Sequence, residues 1–348
     1  MESTSKRANP GVRLAWIGAI SIVVFLLHLG LGSTDFVSPW RVVQELFAGP
    51  GPQSPANDVV WAVRLPKALY CLLAGGILGI VGSAFQALFR NPLVEPFTIG
   101  VSSGAALGGA LAQWMGMDVL LSYLGTPLFG FFGGLGSLLL VFGLSKRRSG
   151  SDPTTILLAG VVVSSLLSAI LSLVILLSGA DSNRLMNWLL GSTSPQFMER
   201  VGLLAVLLIV GSVLLYRESR RLNVFAVGAD TAQRLGIDPN RLKWRILIIG
   251  TAMAAAAVGT VGAIAFLGLV APHIARKILG IDWRWSLPGS LLVGSGLLLA
   301  SDVIAQRGIP WLSQTIAGKD MLATSLPVGV VTAILGAPSL LILLRRSD

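Results

Sequence analysis

RESRRLNVFAVGADTAQRLGIDPNRLKWR, Arg217–Arg245, is the longest polar interruption in a chain that is otherwise one apolar run after another. It carries seven basic residues: Arg217, Arg220, Arg221, Arg234, Arg241, Lys243 and Arg245. Asp230 is placed to cap a short helix at its N-terminus, because a carboxylate accepts from the unpaired amides there. Gly236 is placed to end that helix about one and a half turns later, because glycine tolerates the left-handed conformation of a C-terminus. Asp238-Pro239 is a second start signal, with proline where a helix needs no amide hydrogen. Short helices in a basic loop between apolar runs read as a handle offered to a soluble partner.

The flanks decide the class. The chain has 348 residues, 53% hydrophobic and 12% charged, with mean hydropathy +0.78. That excludes a soluble globular domain. Apolar runs of about 18 to 22 residues match a bilayer core of about 30 Å. The expected fold is therefore all-α, a polytopic membrane protein of about ten transmembrane helices forming one domain over residues 1–348. The spans expected are Leu14–Leu31, Ala68–Leu88, one running to Trp114, Leu128–Leu144, Ile156–Leu177, Val201–Tyr216, Ile246–Val261, a broken one within Gly262–Gly280, Leu287–Ile304 and Val328–Leu344. Leu14–Leu31 has no small-residue cleavage site after it and reads as a retained span. Forty-one glycines suit helices packed closely on small residues.

Placement of charge gives the orientation. With a cytoplasmic N-terminus, seven basic residues lie outside: Arg41, Arg64, Lys67, Arg184, Arg200, Arg307 and Lys319. That leaves 19 of the 26 inside, with both termini. The net charge of +10 thus reports topology rather than nucleic-acid binding. Gly32–Val63 and Arg307–Ser325 become outer loops, and Asp181–Ser194 an amphipathic segment at the outer surface. Phe89–Ala105 and Gly262–Gly280 are interrupted by Gly and Pro, so neither is one regular helix. Broken backbone at membrane depth survives only when buried in protein or lining a cavity.

The absences narrow the function. Ser313–Asp320, SQTIAGKD, only imitates a nucleotide-binding loop: Ser replaces the first Gly, and Asp follows Lys where Ser or Thr is needed. The only histidines are His28 and His273 and the only cysteine is Cys71, so no Cys/His cluster for a metal and no internal disulfide are expected. Ionisable groups near the bilayer midplane, which ion-coupled transport uses, are scarce, and Asp302 lies near the outer end of its span. A transporter with neither an ATP site nor a proton relay takes its energy from another subunit.

The chain resembles the permease subunits of ABC importers for iron-siderophores, haem and cobalamin, the family called FecCD or BtuC-like. The likeness runs over about residues 60–346. It rests on Arg64-Leu65-Pro66-Lys67, Gln86 with Arg90-Asn91-Pro92-Leu93, Gly100–Ala105 and Leu158-Ala159-Gly160. Further matches are Trp188–Ser192, Gly228–Gly236, Phe266–His273, Leu326–Thr332 and Gly336-Ala337-Pro338.

This resemblance implies a homodimer of permeases around a central path, two ATPase subunits holding ATP-Mg, and a periplasmic binding protein. The chain itself binds no cofactor or metal, is not an enzyme, and resides in the bacterial inner membrane. ATPase coupling falls to Asp230, Ala232, Arg234, Leu235, Gly236, Pro239 and Arg241. Apolar Ala232, Leu235 and Ile237 are suited to a groove, and Arg234 and Arg241 to its acidic rim. Binding-protein docking falls to Arg64, Lys67 and Arg307, although Arg64 and Lys67 could equally anchor a span at the interface.

Gln86, Asn91, Pro92, Ser102, Ser103, Thr154, Pro272 and His273 fall on the path or its gate, where the Gly/Pro stretches either line the path or let helices cross. His273 reads as capping a broken helix after Pro272. Met186, Trp188 and Met321 read as packing, and Cys71 as a small buried hydrophobe. Two features depart from the family. Ser325 stands where a Glu is usual, and Arg307–Ser325 is about nine residues longer than typical. The motifs do not separate haem from ferric siderophore or cobalamin.

Overall fold

The computed structural model describes residues 9–31, 37–51, 54–122, 124–145, 153–193, 198–317 and 326–345. They form sixteen α-helices in chain order: α1 Pro10–Gly30, α2 Pro39–Ala48, α3 Pro55–Val59, α4 Leu65–Phe89, α5 Val101–Trp114, α6 Met117–Leu120, α7 Gly125–Ser145, α8 Pro153–Leu177, α9 Ser182–Leu189, α10 Met198–Arg217, α11 Ser219–Val227, α12 Ala229–Arg234, α13 Pro239–Val261, α14 Leu267–Leu279, α15 Trp283–Ala317 and α16 Val328–Arg345. The fold is all-α. Among the described residues, seven helices are long and apolar enough to cross a membrane. The ten expected spans are these seven together with α5, α14 and α16.

α5 and α14 have 14 and 13 residues. At 1.5 Å per residue each is about 20 Å long, short of a bilayer core. Their missing length is supplied by non-helical segments, residues 90–100 before α5 and 262–266 before α14. Both are the stretches whose Gly and Pro content predicts broken backbone.

Burial sorts the spans. The apolar window of the helix through α4 is 89% buried and that of α13 72%, against 17% for α1 and 22% for α8. α4 and α13 are therefore the core. α1 and α8 turn Trp16, Ile20, Val23, Leu158, Val162 and Leu166 outward, as lipid-facing helices do. α4 lies against α15 with almost no side chain between them: a methyl at Gly75 or Gly79 would strike the Gly294 or Ser290 carbonyl. Such contact maximises dispersion where no hydrophobic effect drives helices together.

Three expectations change. Gly32–Val63 is not a plain loop, since α2, α3 and a π-helical turn at Val60–Arg64 occupy much of it. Prolines at the first turns of α2 and α3, with Ser38 and Ser54 capping, start them. Arg307–Ser325 is helical as far as Ala317, as α15 continues through it. Lys319, Met321 and Ser325 fall outside the described residues. Asp238-Pro239 starts no second short helix: it begins α13 itself, with the Asp238 carboxylate accepting from the amides of Asn240 and Arg241.

Candidate functional site

One face holds the start of α1, the end of α14 and the whole Arg217–Arg245 stretch. Arg13 of α1 donates to the Ile278 carbonyl, and Asn223 of α11 donates to Asp282 ahead of α15. On this basic face α10 turns into α11, then α12. The end of α12 is a Schellman turn: Gly236 donates to the Gln233 carbonyl and Ile237 to that of Ala232. Gly236 has φ +78°, which a side chain would strain.

The start of α12 differs from expectation. Gly228 is the N-cap, and Asp230 sits one residue inside the first turn, exposed and making no capping bond. Its charge still favours that end of the helix. Ala232 is fully buried, because α11 packs over it, so it cannot enter a partner's groove. Leu235 is 66% exposed. Arg234 and Arg241 are exposed, Arg241 holding Asp238 at 3.1 Å, and Pro239 is half-buried. Behind them the Glu218 carboxylate takes two hydrogen bonds from Arg221 and one from Arg245. Together with Gly236 and Ile237 these groups line a hollow of about 150 Å³.

The opposite face carries the residues expected to dock the binding protein, Arg64, Lys67 and Arg307. Arg64 is buried, its guanidinium donating to the Leu29 and Gly30 carbonyls. Those are last-turn acceptors of α1 that the helix itself cannot satisfy. Lys67 also turns inward, 3.4 Å from the Asp302 carboxylate. Arg307 is half-buried on α15. None of the three stands out from the surface.

Asp302 is the hub they missed. Its Oδ2 accepts from His28 at 2.7 Å and from Gln306 at 2.6 Å, and its Oδ1 from Thr193 at 2.6 Å. Cys71 joins them: one ligating atom each of His28, Cys71 and Asp302 lie within 4.8 Å of one another. His28 and Cys71, expected to form no cluster for a metal, are thus brought together with Asp302. Depth was the available signal, since all three residues lie near the same ends of their spans.

On this face too, α9 and its neighbours enclose a cavity of about 400 Å³ lined by Tyr70, Gln113, Asp118, Arg184, Asn187, Trp188, Ser192, Arg200 and Thr260. Arg200 pairs with Asp118 at 3.0 Å, and Thr126 donates to Asp118 through both its amide and its hydroxyl. The Trp188 indole N–H, buried, has no acceptor. Trp188 packs as expected, in a buried cluster with Ala110, Val174 and Leu185.

Between the faces run the broken segments. Pro272 lies inside a continuous α14, not at its end, so His273 is mid-helix and caps nothing. Proline has no amide hydrogen, which leaves the Gly268 carbonyl, four residues back, without its helical donor. Gln86 of α4 supplies one at 3.1 Å. Gln86 is thereby a structural partner of Pro272. Asn91 makes a local turn to the Leu93 amide, and Pro92 is exposed at that bend. Glu95, not anticipated, is buried and accepts from the Phe266 amide, joining the two broken segments. Ser102 is buried with no partner, Ser103 is half-buried, and Thr154 is exposed at the start of α8.

The family model described as the FecCD transport family matches residues 20–346. The vitamin B12 import system permease protein BtuC of Escherichia coli is 36% identical over 351 residues, 99% of each chain. The ferric enterobactin transport system permease protein FepD of Escherichia coli is 34% identical over 344 residues, 97% of this chain and 95% of that one. A solved inward-facing metal-chelate type ABC transporter superposes with TM-score 0.79 at 28% identity, over 97% of this chain and 99% of that chain.

Proposed function

The chain belongs to the FecCD transport family and is a multi-pass permease of an ABC importer, and from that premise we propose that it carries an iron chelate, haem or a ferric siderophore, inward across the inner membrane. Two copies pair around the path. The basic face is cytoplasmic, following the excess of Lys and Arg there. The ATPase subunits, which hold ATP-Mg, grip α12 and the following turn through Leu235, Gly236, Pro239 and the arginines at 234 and 241. The binding protein docks on the opposite face, near Lys67 and Arg307. The chain supplies no covalent chemistry.

The observation that carries the substrate class is the 400 Å³ cavity, rich in donors: Arg184, Arg200, Asn187 and the unpaired Trp188 indole. Groups of that kind receive the carboxylates of haem or the oxyanions of a siderophore. Cobalamin is the second reading, favoured by the 36% identity to a vitamin B12 permease. The test is ATP-dependent uptake into vesicles holding the permease with its own ATPase and binding protein. Accumulation of labelled iron chelate and not of labelled cobalamin is expected; the reverse pattern overturns the proposal.

A further inference from the structure

His28, Cys71 and Asp302 reach one another from α1, α4 and α15, and all three are buried. The chain has one cysteine and two histidines, and the cysteine shares this cluster with one of the histidines. We propose that the cluster binds a divalent transition-metal cation of the zinc or cobalt class, in competition with Lys67.

The donor set is right for such an ion. An imidazole nitrogen, a thiolate and a carboxylate oxygen fill three positions of a tetrahedral site, leaving the fourth for water. A cation already stands in place: the Lys67 ammonium is 3.4 Å from Asp302 Oδ2 and acts electrostatically on Cys71. Oδ2 receives three donors, His28 at 2.7 Å, Gln306 at 2.6 Å and Lys67. A carboxylate oxygen has two lone pairs, so the longest contact is the one most readily given up. Lys67 is also the partner with a way out, its side chain being 16% exposed against 2% for His28 and Asp302. The second ring nitrogen of His28, Nδ1, is buried with no partner, so no further bond fixes the imidazole.

The charges balance in both states. Without metal, the Asp302 carboxylate and the Lys67 ammonium cancel. With metal, the two positive charges meet the carboxylate and the Cys71 thiolate, and the ammonium withdraws to water. The thiol proton leaves to solvent, and the His28 proton moves from Nε2 to the unpartnered Nδ1 so that the Nε2 lone pair is free. The nitrogen and sulfur lone pairs form the bonds to the metal, and nothing is oxidised. Holding metal and ammonium together would leave an uncompensated charge in a low-dielectric site, so each excludes the other.

The experiment titrates cobalt chloride into the purified permease in detergent, without ATPase or binding protein. One equivalent per chain is expected to give a near-ultraviolet thiolate-to-cobalt band with tetrahedral visible bands, and zinc is expected to bleach both. Cys71→Ser should lose the near-ultraviolet band. Lys67→Met, which removes the ammonium and keeps the apolar stem, should tighten cobalt binding by roughly tenfold or more, the charge lying so close to the ion. That gain in affinity cannot arise from misfolding. The proposal is overturned by no band in either the parent or Lys67→Met, by a band that survives Cys71→Ser, or by an unchanged affinity in Lys67→Met.

Discussion

Asp302 and Glu218 are the same device on opposite faces, one carboxylate gathering several donors, yet their surroundings give them opposite uses. Both carboxylates are nearly buried, 2% and 8% exposed. The partners differ. His28 and Lys67 are 2% and 16% exposed, whereas Arg221 and Arg245 are 49% and 55% exposed. Of the donors of Asp302, His28, Gln306 and Thr193 are buried and have no water to turn to without it, while Lys67 keeps a narrow way out. The arginines around Glu218 already stand half in water, where their spare N–H groups can meet a second protein. One cluster ties α1, α4 and α15 together; the other holds a charged surface in position beside α12.

The sharpest way to break this contrast is Asp302→Ala, which strands a buried imidazole, an amide and a hydroxyl together with a largely enclosed ammonium. A loss of about 3–5 kcal/mol is expected, read as a large drop in melting temperature of the purified permease. Next comes Leu235→Glu, which places a charge on the exposed apolar side chain proposed to meet the ATPase. Co-purification of the ATPase should fall by roughly tenfold, about 1.4 kcal/mol, with the melting temperature of the permease alone unchanged.

Glu218→Ala should cost only about 0.5–1 kcal/mol, because its arginines are rehydrated in place. A cost equal to that at Asp302 would erase the distinction between the two clusters.

The smallest effect is expected at Asp282, also on the basic face. The side-chain bonds from Arg284 lead in pulling its carboxyl down to about 2. An unfolded Asp titrates near 3.9. Its contribution is therefore fully present above about pH 4 and lost as pH falls through about 2. Melting temperatures of the parent and of Asp282→Asn should run parallel from neutral pH to about 4 and converge below it.

Much of the basic face was legible in sequence, since helix stops and starts are local: Gly236 and Asp238-Pro239 act on amides within a few residues. Asp230 missed its cap by two positions because Gly228, with φ 166° and ψ 148°, takes that place. Ala232 looked available because nothing local shows that α11 covers it. The Gly and Pro of both broken segments were likewise readable, being properties of single residues. Asp302 was readable only as a depth. Its partners lie 274 and 109 residues away, at His28 and Thr193, and no periodicity within one span encodes such a meeting. Arg64 showed only its charge in the sequence, since its acceptors, the Leu29 and Gly30 carbonyls, lie 35 and 34 residues away.

The bond from Gln86 to the Gly268 carbonyl bears on how the protein is made. α14 leaves the ribosome with that carbonyl already lacking a donor, and lipid offers none. Gln86 lies 182 residues earlier, so α4 is in the bilayer before α14 is synthesised. N-to-C synthesis thus provides the donor ahead of the acceptor. A circular permutant that emits α14 first would have to insert it with an orphaned carbonyl, and biogenesis, rather than the finished fold, would bear the cost.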